Sequence, residues 1–201
     1  MSQATFSLLL LLSILCLAAG TAESAGVRNR SSSIEYIKSS CSTTRYPTLC
    51  VQTLSPYANK IQPNNALQLA QAALSVSLSK SRSASSYVSK MSRLKSLKAR
   101  EYQAMKDCVD NMSDSVDRLS RSIKEMGQTS QTTSQSDFSW HMSNVQTWVS
   151  AALTDDNTCV DGFSGHSMDG NVKTAITNRV TTVAQVTSNA LALINRYASS
   201  H

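Results

Sequence analysis

Proline is nearly missing from this chain. Its only three examples, Pro47, Pro56 and Pro63, fall in one short stretch, so nothing beyond Pro63 forbids long helices. Glycine is scarce too, with 6 in 201 residues, and aromatics make up only 5%. No alternation of apolar and polar residues persists beyond a few positions, which argues against sheet. Histidine occurs only as His141, His166 and His201, and no nucleophile motif stands beside any of them. The patterns G-x-S-x-G, H-E-x-x-H, G-x-G-x-x-G and the phosphate-binding loop do not occur. Ser77-x-x-Lys80 and Ser92-x-x-Lys95 match an S-x-x-K pattern, but a chain this rich in Ser yields such matches by chance. These residues define no catalytic set, no metal site and no cofactor site, and they argue against an enzyme.

Only one long apolar run exists, from Phe6 to Ala19, and the small residues Gly20-Thr21-Ala22 follow it. It is too short to span a bilayer comfortably, and polar sequence follows at once. We read it as a cleaved secretion signal of about 25 residues, although its only positive charge is the amino terminus. The rest of the chain, from residue 26 to 201, is then expected to be a soluble, secreted domain with no membrane segment. Of the five cysteines, Cys16 leaves with the signal. Cys41, Cys50, Cys108 and Cys159 remain, an even number that predicts two disulfides in an oxidising compartment, with three connectivities open. Zinc would want paired C-x-x-C or Cys/His spacing, which is not there. Asn29-Arg30-Ser31 and Asn111-Met112-Ser113 are sequons, making Asn29 and Asn111 candidate glycosylation sites.

What the chain does have is helical periodicity. Val109, Met112, Val116, Leu119, Ile123 and Met126 recur at steps of three and four, predicting a helix from near Arg100 that Gly127 stops. A second helix is expected from about Phe138, with Met142, Val145, Trp148 or Val149, and Ala152 inward. Another begins near Asn171 and buries Val172, Ile176, Val180, Val183, Val186, Ala190, Leu193 and Tyr197. An earlier one opens at Asn64 or Asn65 and turns Ala66, Leu67, Ala70, Leu74 and Leu78 inward, with a weaker continuation to Val88 and Met91. Four amphipathic helices with narrow apolar stripes are satisfied by a bundle around a shared axis. Before it, Ser33 to Tyr57 forms a separate, shorter helical segment broken by Pro47. In this layout Cys41 can bridge Cys50. Cys108, near the start of one bundle helix, comes close to Cys159, just after the end of the next.

The formal charge is +6, and it is uneven. Lys80, Arg82, Lys90, Arg93, Lys95, Lys98 and Arg100 fall in a stretch with no acid. Such a run is accounted for by a solvated helix face and loop. As a binding site it would suit an acidic polysaccharide such as pectin outside a cell, rather than nucleic acid. Asp107, Asp110, Asp114 and Asp117, three and four apart, line one face of the helix near Arg100. The helix dipole offsets their repulsion at Asp107 and Asp110 if these lie in the first turn, but not at Asp114 and Asp117. The alternative is a face for a basic partner.

The segments around the cysteines resemble the plant invertase/pectin methylesterase inhibitor family. The matching stretches are Cys41-Ser-Thr-Thr-Arg-Tyr-Pro-Thr-Leu-Cys50, Asp107-Cys-Val-Asp110, Ser113 to Leu119, Val149 to Thr154, Asn157 to Phe163 and Ser188 to Ala192. The resemblance implies an all-α, up-down-up-down four-helix bundle (about residues 64–198) preceded by an N-terminal helical hairpin (about 31–60). It also implies the bridges Cys41–Cys50 and Cys108–Cys159. The implied activity is a reversible one-to-one complex that covers an enzyme's active-site cleft in the plant cell wall. Invertase inhibitors of the family resemble one another in Pro-Lys-Phe before the last cysteine's helix. Here the place reads Ser136-Asp137-Phe138, and Val145 to Thr154 looks like the methylesterase branch. The partner implied is therefore pectin methylesterase, with invertase as the competing target and a basic pectin-binding wall protein, acting through Lys80 to Arg100, as a third reading. By position, the partner-binding residues implied are Asp110, Asp114, Asp117, Thr158 and Asp161.

Overall fold

The computed structural model describes residues 29–168 and 170–200; the expected signal segment and His201 lie outside the described residues. Helix α1 covers residues 29–41. It is followed by α2 (Pro47–Leu54), α3 (Ala66–Met91), α4 (Ala99–Gln128), α5 (Gln135–Asp161) and α6 (Asn171–Ser199), with 3-10 turns at Ser55–Lys60 and His166–Met168. No strand occurs among the described residues.

Local chemistry sets the helix starts. Pro47 stands at the first turn of α2, where its fixed φ suits the helix and its missing N–H costs nothing. The Asn65 carboxamide oxygen accepts the Gln68 N–H at 2.9 Å and caps α3. Glu101 reaches back to accept the Lys98 N–H at 2.8 Å and closes the first turn of α4. Gly170, at φ 153°, makes the turn into α6 that a side chain would strain.

Two boundaries differ from the sequence reading, and the weaker continuation of α3 is borne out. Gly127 does not stop α4: it keeps a helical conformation, and the helix ends only after Gln128, where buried Thr129 turns its hydroxyl onto the Met126 carbonyl at 2.8 Å. α3 runs unbroken to Met91 with Val88 buried, because no Gly or Pro interrupts it. α5 starts at Gln135, ahead of Phe138, and continues past Cys159, which sits in its last turn rather than beyond its end.

α3 packs against α4 and α6, and α5 against the same two, so the long helices form a ring with successive helices adjacent. The apolar stripes meet inside it. Leu74, Leu119, Met126, Val145, Val149 and Ile194 fill the half nearer α2, and Met105, Met112, Phe163, Ile176 and Val180 fill the other. Each such side chain, fully buried, contributes roughly 1.5–3 kcal/mol by removal from water. The stripe of α4 is rotated from the expected one. Val109, Val116 and Ile123 are half-buried, whereas Cys108, Ser115 and Ser122 are fully buried.

The N-terminal hairpin lies across α3 and α6, with Ile37 and Leu54 against Leu69, Val76 and Val186. Asn189 of α6 clasps its turn, accepting the Tyr46 N–H at 3.0 Å and donating to the Tyr46 carbonyl at 2.9 Å. Disulfides join Cys41 to Cys50 within the hairpin and Cys108 of α4 to Cys159 of α5, with Cα atoms 5.6 and 4.3 Å apart.

Candidate functional site

α4 presents one side to the core and another to water. Asp107, Asp110, Asp114 and Asp117 are all exposed on the outer side. Since α4 begins at Ala99, even Asp107 stands in the third turn. The dipole fades within the first turn, so it offsets none of the four charges, and the partial account given to Asp107 and Asp110 from sequence does not hold. Asp107 accepts a hydrogen bond from Gln103 Nε2 at 2.9 Å. Asn111, inside the row, donates its Nδ2 hydrogen to the Asp107 carbonyl at 2.8 Å.

α5 supplies the adjacent part of the face. The Cys108–Cys159 bridge and the Arg118–Asp155 ion pair, Nε to Oδ2 at 2.7 Å, fix the antiparallel register. Asp107 therefore stands level with Asp161, and Asn111 with Thr158. Thr158 and Asp161 are both exposed; the Thr158 hydroxyl donates to the Thr154 carbonyl at 2.8 Å. Asp155 feels three influences. Burial raises its carboxyl pKa, Arg118 opposes that, and the nearby negative charge of Asp114 adds to it, leaving it above the usual range. Trp148 is half-buried on the same helix. Asp110, Asp114, Thr158 and Asp161 thus lie on two bridged neighbours at one end of the bundle, and Asp117 extends the row along α4.

Inside the bundle lies a polar group that sequence reading missed. Asp156, fully buried, accepts from the Ser115 hydroxyl at 2.7 Å and from the Thr187 hydroxyl at 3.2 Å. Thr187 shares a hydrogen with Ser77 at 2.8 Å, and Ser115 with Ser81 at 3.2 Å. Residues from α3, α4, α5 and α6 meet in this one network. Burial pushes the Asp156 carboxyl up to about 7, against the pull of its two hydroxyl donors. The signal was present: Val149, Ala152, Asp156 and Cys159 keep the three-and-four spacing of a buried stripe. Ser77 is held within this network and is no exposed nucleophile.

A second polar cluster joins α4 and α5 at the far end. Glu125 Oε1 meets His141 Nδ1 at 2.8 Å and accepts from Asn144 Nδ2 at 2.9 Å. Burial works upward on Glu125, but these partners outweigh it and hold the carboxyl below its usual range. No group of three or more Cys, His, Asp or Glu among the described residues is arranged to hold a metal ion. No helix there is long and apolar enough to cross a membrane.

The fold and its surface make this a disulfide-locked all-α bundle that keeps one polar network inside and spreads an acidic row over its outside. Comparison with known proteins gives its family. Residues 35–193 match the model of the family described as plant invertase/pectin methylesterase inhibitor. "Pectinesterase inhibitor 9" of Arabidopsis thaliana is 51% identical, over 96% of this chain and 94% of its own. A "21 kDa protein" of Daucus carota is 46% identical, over 83% and 86%. The fold resembles that of a crystal structure of a mutant pectin methylesterase inhibitor from Arabidopsis, with a TM-score of 0.61, 18% identity and coverage of 77% of this chain and 92% of that one. The chain belongs to the plant invertase/pectin methylesterase inhibitor family. That is a family of inhibitors, and the protein is not itself an enzyme.

Proposed function

We propose that the protein inhibits pectin methylesterase in a reversible one-to-one complex, laying the acidic face of α4 and the end of α5 across the enzyme's substrate cleft. The observation that carries the reading is the row Asp107, Asp110, Asp114 and Asp117, exposed on a helix that is bridged to its neighbour and unrelieved by the helix dipole. Like charges at this spacing cost a few tenths of a kcal/mol per pair in the free protein, a cost that a basic partner reverses. The names of the relatives support the choice of target. Asp110, Asp114 and Asp117 would meet basic groups at the rim of the cleft, with Thr158 and Asp161 beside them. Bridged helices lose little freedom on docking, and pectin is excluded sterically. Secretion to the cell wall, where the substrate lies, belongs to the same reading.

The experiment is a parallel titration of the oxidised protein, from residue 26 onward, against a plant pectin methylesterase and a cell-wall invertase. Stoichiometric loss of esterase activity with invertase untouched is the expected result. Loss of invertase activity alone would transfer the reading to the other branch of the family.

A further inference from the structure

The acidic residues of this bundle are sorted by helix. α3 and α6 contain no Asp or Glu; the carboxylates of the four long helices are confined to α4 and α5. α3 and α6 pack together, and the α4–α5 pair lies across the ring from them. Those two helices therefore contribute cations and no carboxylate to their side of the ring, while the opposite side carries the acidic row together with the basic residues of α4.

The fold also sorts the basic run that stood out in the sequence. Lys80, Ser83, Tyr87 and Lys90 recur at steps of three and four and share one face of α3, whereas Arg82 turns toward α4, with its Nη2 3.5 Å from Ser120 Oγ. Lys80 and Lys90 are exposed and stand about 15 Å apart along the helix axis, a span of several sugar residues. Between them, Arg179 of α6 lays its guanidinium over the Tyr87 ring, 4.4 Å from the centroid, adding a cation that no reading of the linear run contained. At the Lys80 end, an open groove of about 250 Å³ is lined by Gln52, Thr53 and Tyr57 of the hairpin segment. Cations spaced along a shallow row, with an aromatic ring, an amide and a hydroxyl at its Lys80 end, match a chain of sugar rings that bear carboxylates.

We propose that this α3–α6 face binds de-esterified pectin, with Lys80, Arg179 and Lys90 meeting successive uronate carboxylates, Tyr87 holding Arg179 in place and Tyr57 supporting a sugar ring. The choice of a polyuronate among polyanions rests on the function proposed above, since the target enzyme uncovers those carboxylates. Repulsion from the acidic row keeps the polymer off the enzyme-facing side. One molecule can hold the enzyme's product and cover the enzyme at once, and it collects where the enzyme has already worked.

The test is equilibrium binding of the oxidised protein to polygalacturonate, highly methyl-esterified pectin and polyglutamate at low salt, with esterase inhibition assayed separately. Polygalacturonate should bind, weakening with added salt, and the other two polymers should bind at least about tenfold more weakly. Lys80→Glu/Lys90→Glu/Arg179→Ser should lose roughly tenfold or more in affinity for polygalacturonate while inhibition stays unchanged. Arg121→Glu/Lys124→Glu on α4 alters net charge by a similar amount and should bind as before. Thermal melts of both variants exclude unfolding as the cause. Equal loss in the two variants would reduce the effect to net charge, and polyglutamate binding as tightly would make the face one for acidic peptides; either outcome overturns the proposal, as does no binding by the unaltered protein. If polygalacturonate binds but no esterase is inhibited, it is the proposed function that fails.

Discussion

Ser115 on α4 donates its hydroxyl hydrogen to Asp156 Oδ1 on α5 at 2.7 Å, and neither residue has measurable contact with water. A carboxyl in that position is easier to bury protonated than charged, which is why it titrates near 7 instead of 3.8. Between these two values the folded chain holds a proton that the unfolded chain has released. Stability therefore falls as pH rises through that window, and the full penalty, about 4 kcal/mol, is present above it. Glu125 acts in the opposite direction, but only as pH drops toward and below 4.5, so the two effects separate.

Asp156→Asn should remove most of this slope. Asn can still accept from Ser115 and can donate to Thr187, so the network survives without a charge. Melting temperatures from pH 5 to 8 should decline in the natural protein and stay nearly level in the variant. Parallel profiles for the two proteins would show that the slope arises elsewhere.

Reversing Asp114 and Asp117 together to Lys should abolish esterase inhibition, a loss of at least about tenfold, with helicity unchanged because both side chains point to water. Circular dichroism with the activity titration checks both halves. Full inhibition by the double variant would remove this face from the interface.

The two disulfides should differ in weight. The Cys108–Cys159 bridge closes a separation of 51 residues and the Cys41–Cys50 bridge one of 9. Chain entropy gives about 4 kcal/mol for the first and about 2.7 for the second. Ser pairs at each bridge, compared by urea unfolding, should keep that order.

Asn111 poses a conflict that the sequon alone does not reveal. It sits on α4 among Asp107, Asp110 and Asp114, so a glycan there would stand on the proposed interface. Protein recovered in complex with esterase should carry a bare Asn111, by mass spectrometry of the peptide, whereas exposed Asn29 is free of this constraint. A glycan on Asn111 in a stoichiometric complex would contradict the docking geometry.

The bundle was legible because Val, Leu, Ile and Met at helical spacing leave few other arrangements. Val180, Val183 and Val186 are buried where the periodicity of α6 puts them. The acidic row was legible as well, since its residues need only a helix to align them. Asp156 was not. It follows Asp155 in a polar stretch from Thr154 to Asn157, and charge conceals membership of a stripe whose other positions are apolar. The same concealment applies to Ser115, which takes the stripe position between Met112 and Leu119 that Val116 was expected to share. Arg179 over Tyr87 lay beyond reach for another reason: it joins helices separated by most of the bundle's sequence, and only packing brings them together.

Apolar stripes made of Val, Leu, Ala and Met are forgiving along their length, and such a helix shifted by one turn still buries carbon against carbon. A hydrogen-bonded carboxyl is not forgiving. Moving any one of the four long helices by 5.4 Å would strand Asp156 or one of its hydroxyl partners in a dry interior. The network thus acts as a pawl that admits one axial setting for all four helices. That setting puts Thr158 level with Asn111 and Asp161 level with Asp107, so a group with no access to water fixes the pattern on the outer surface.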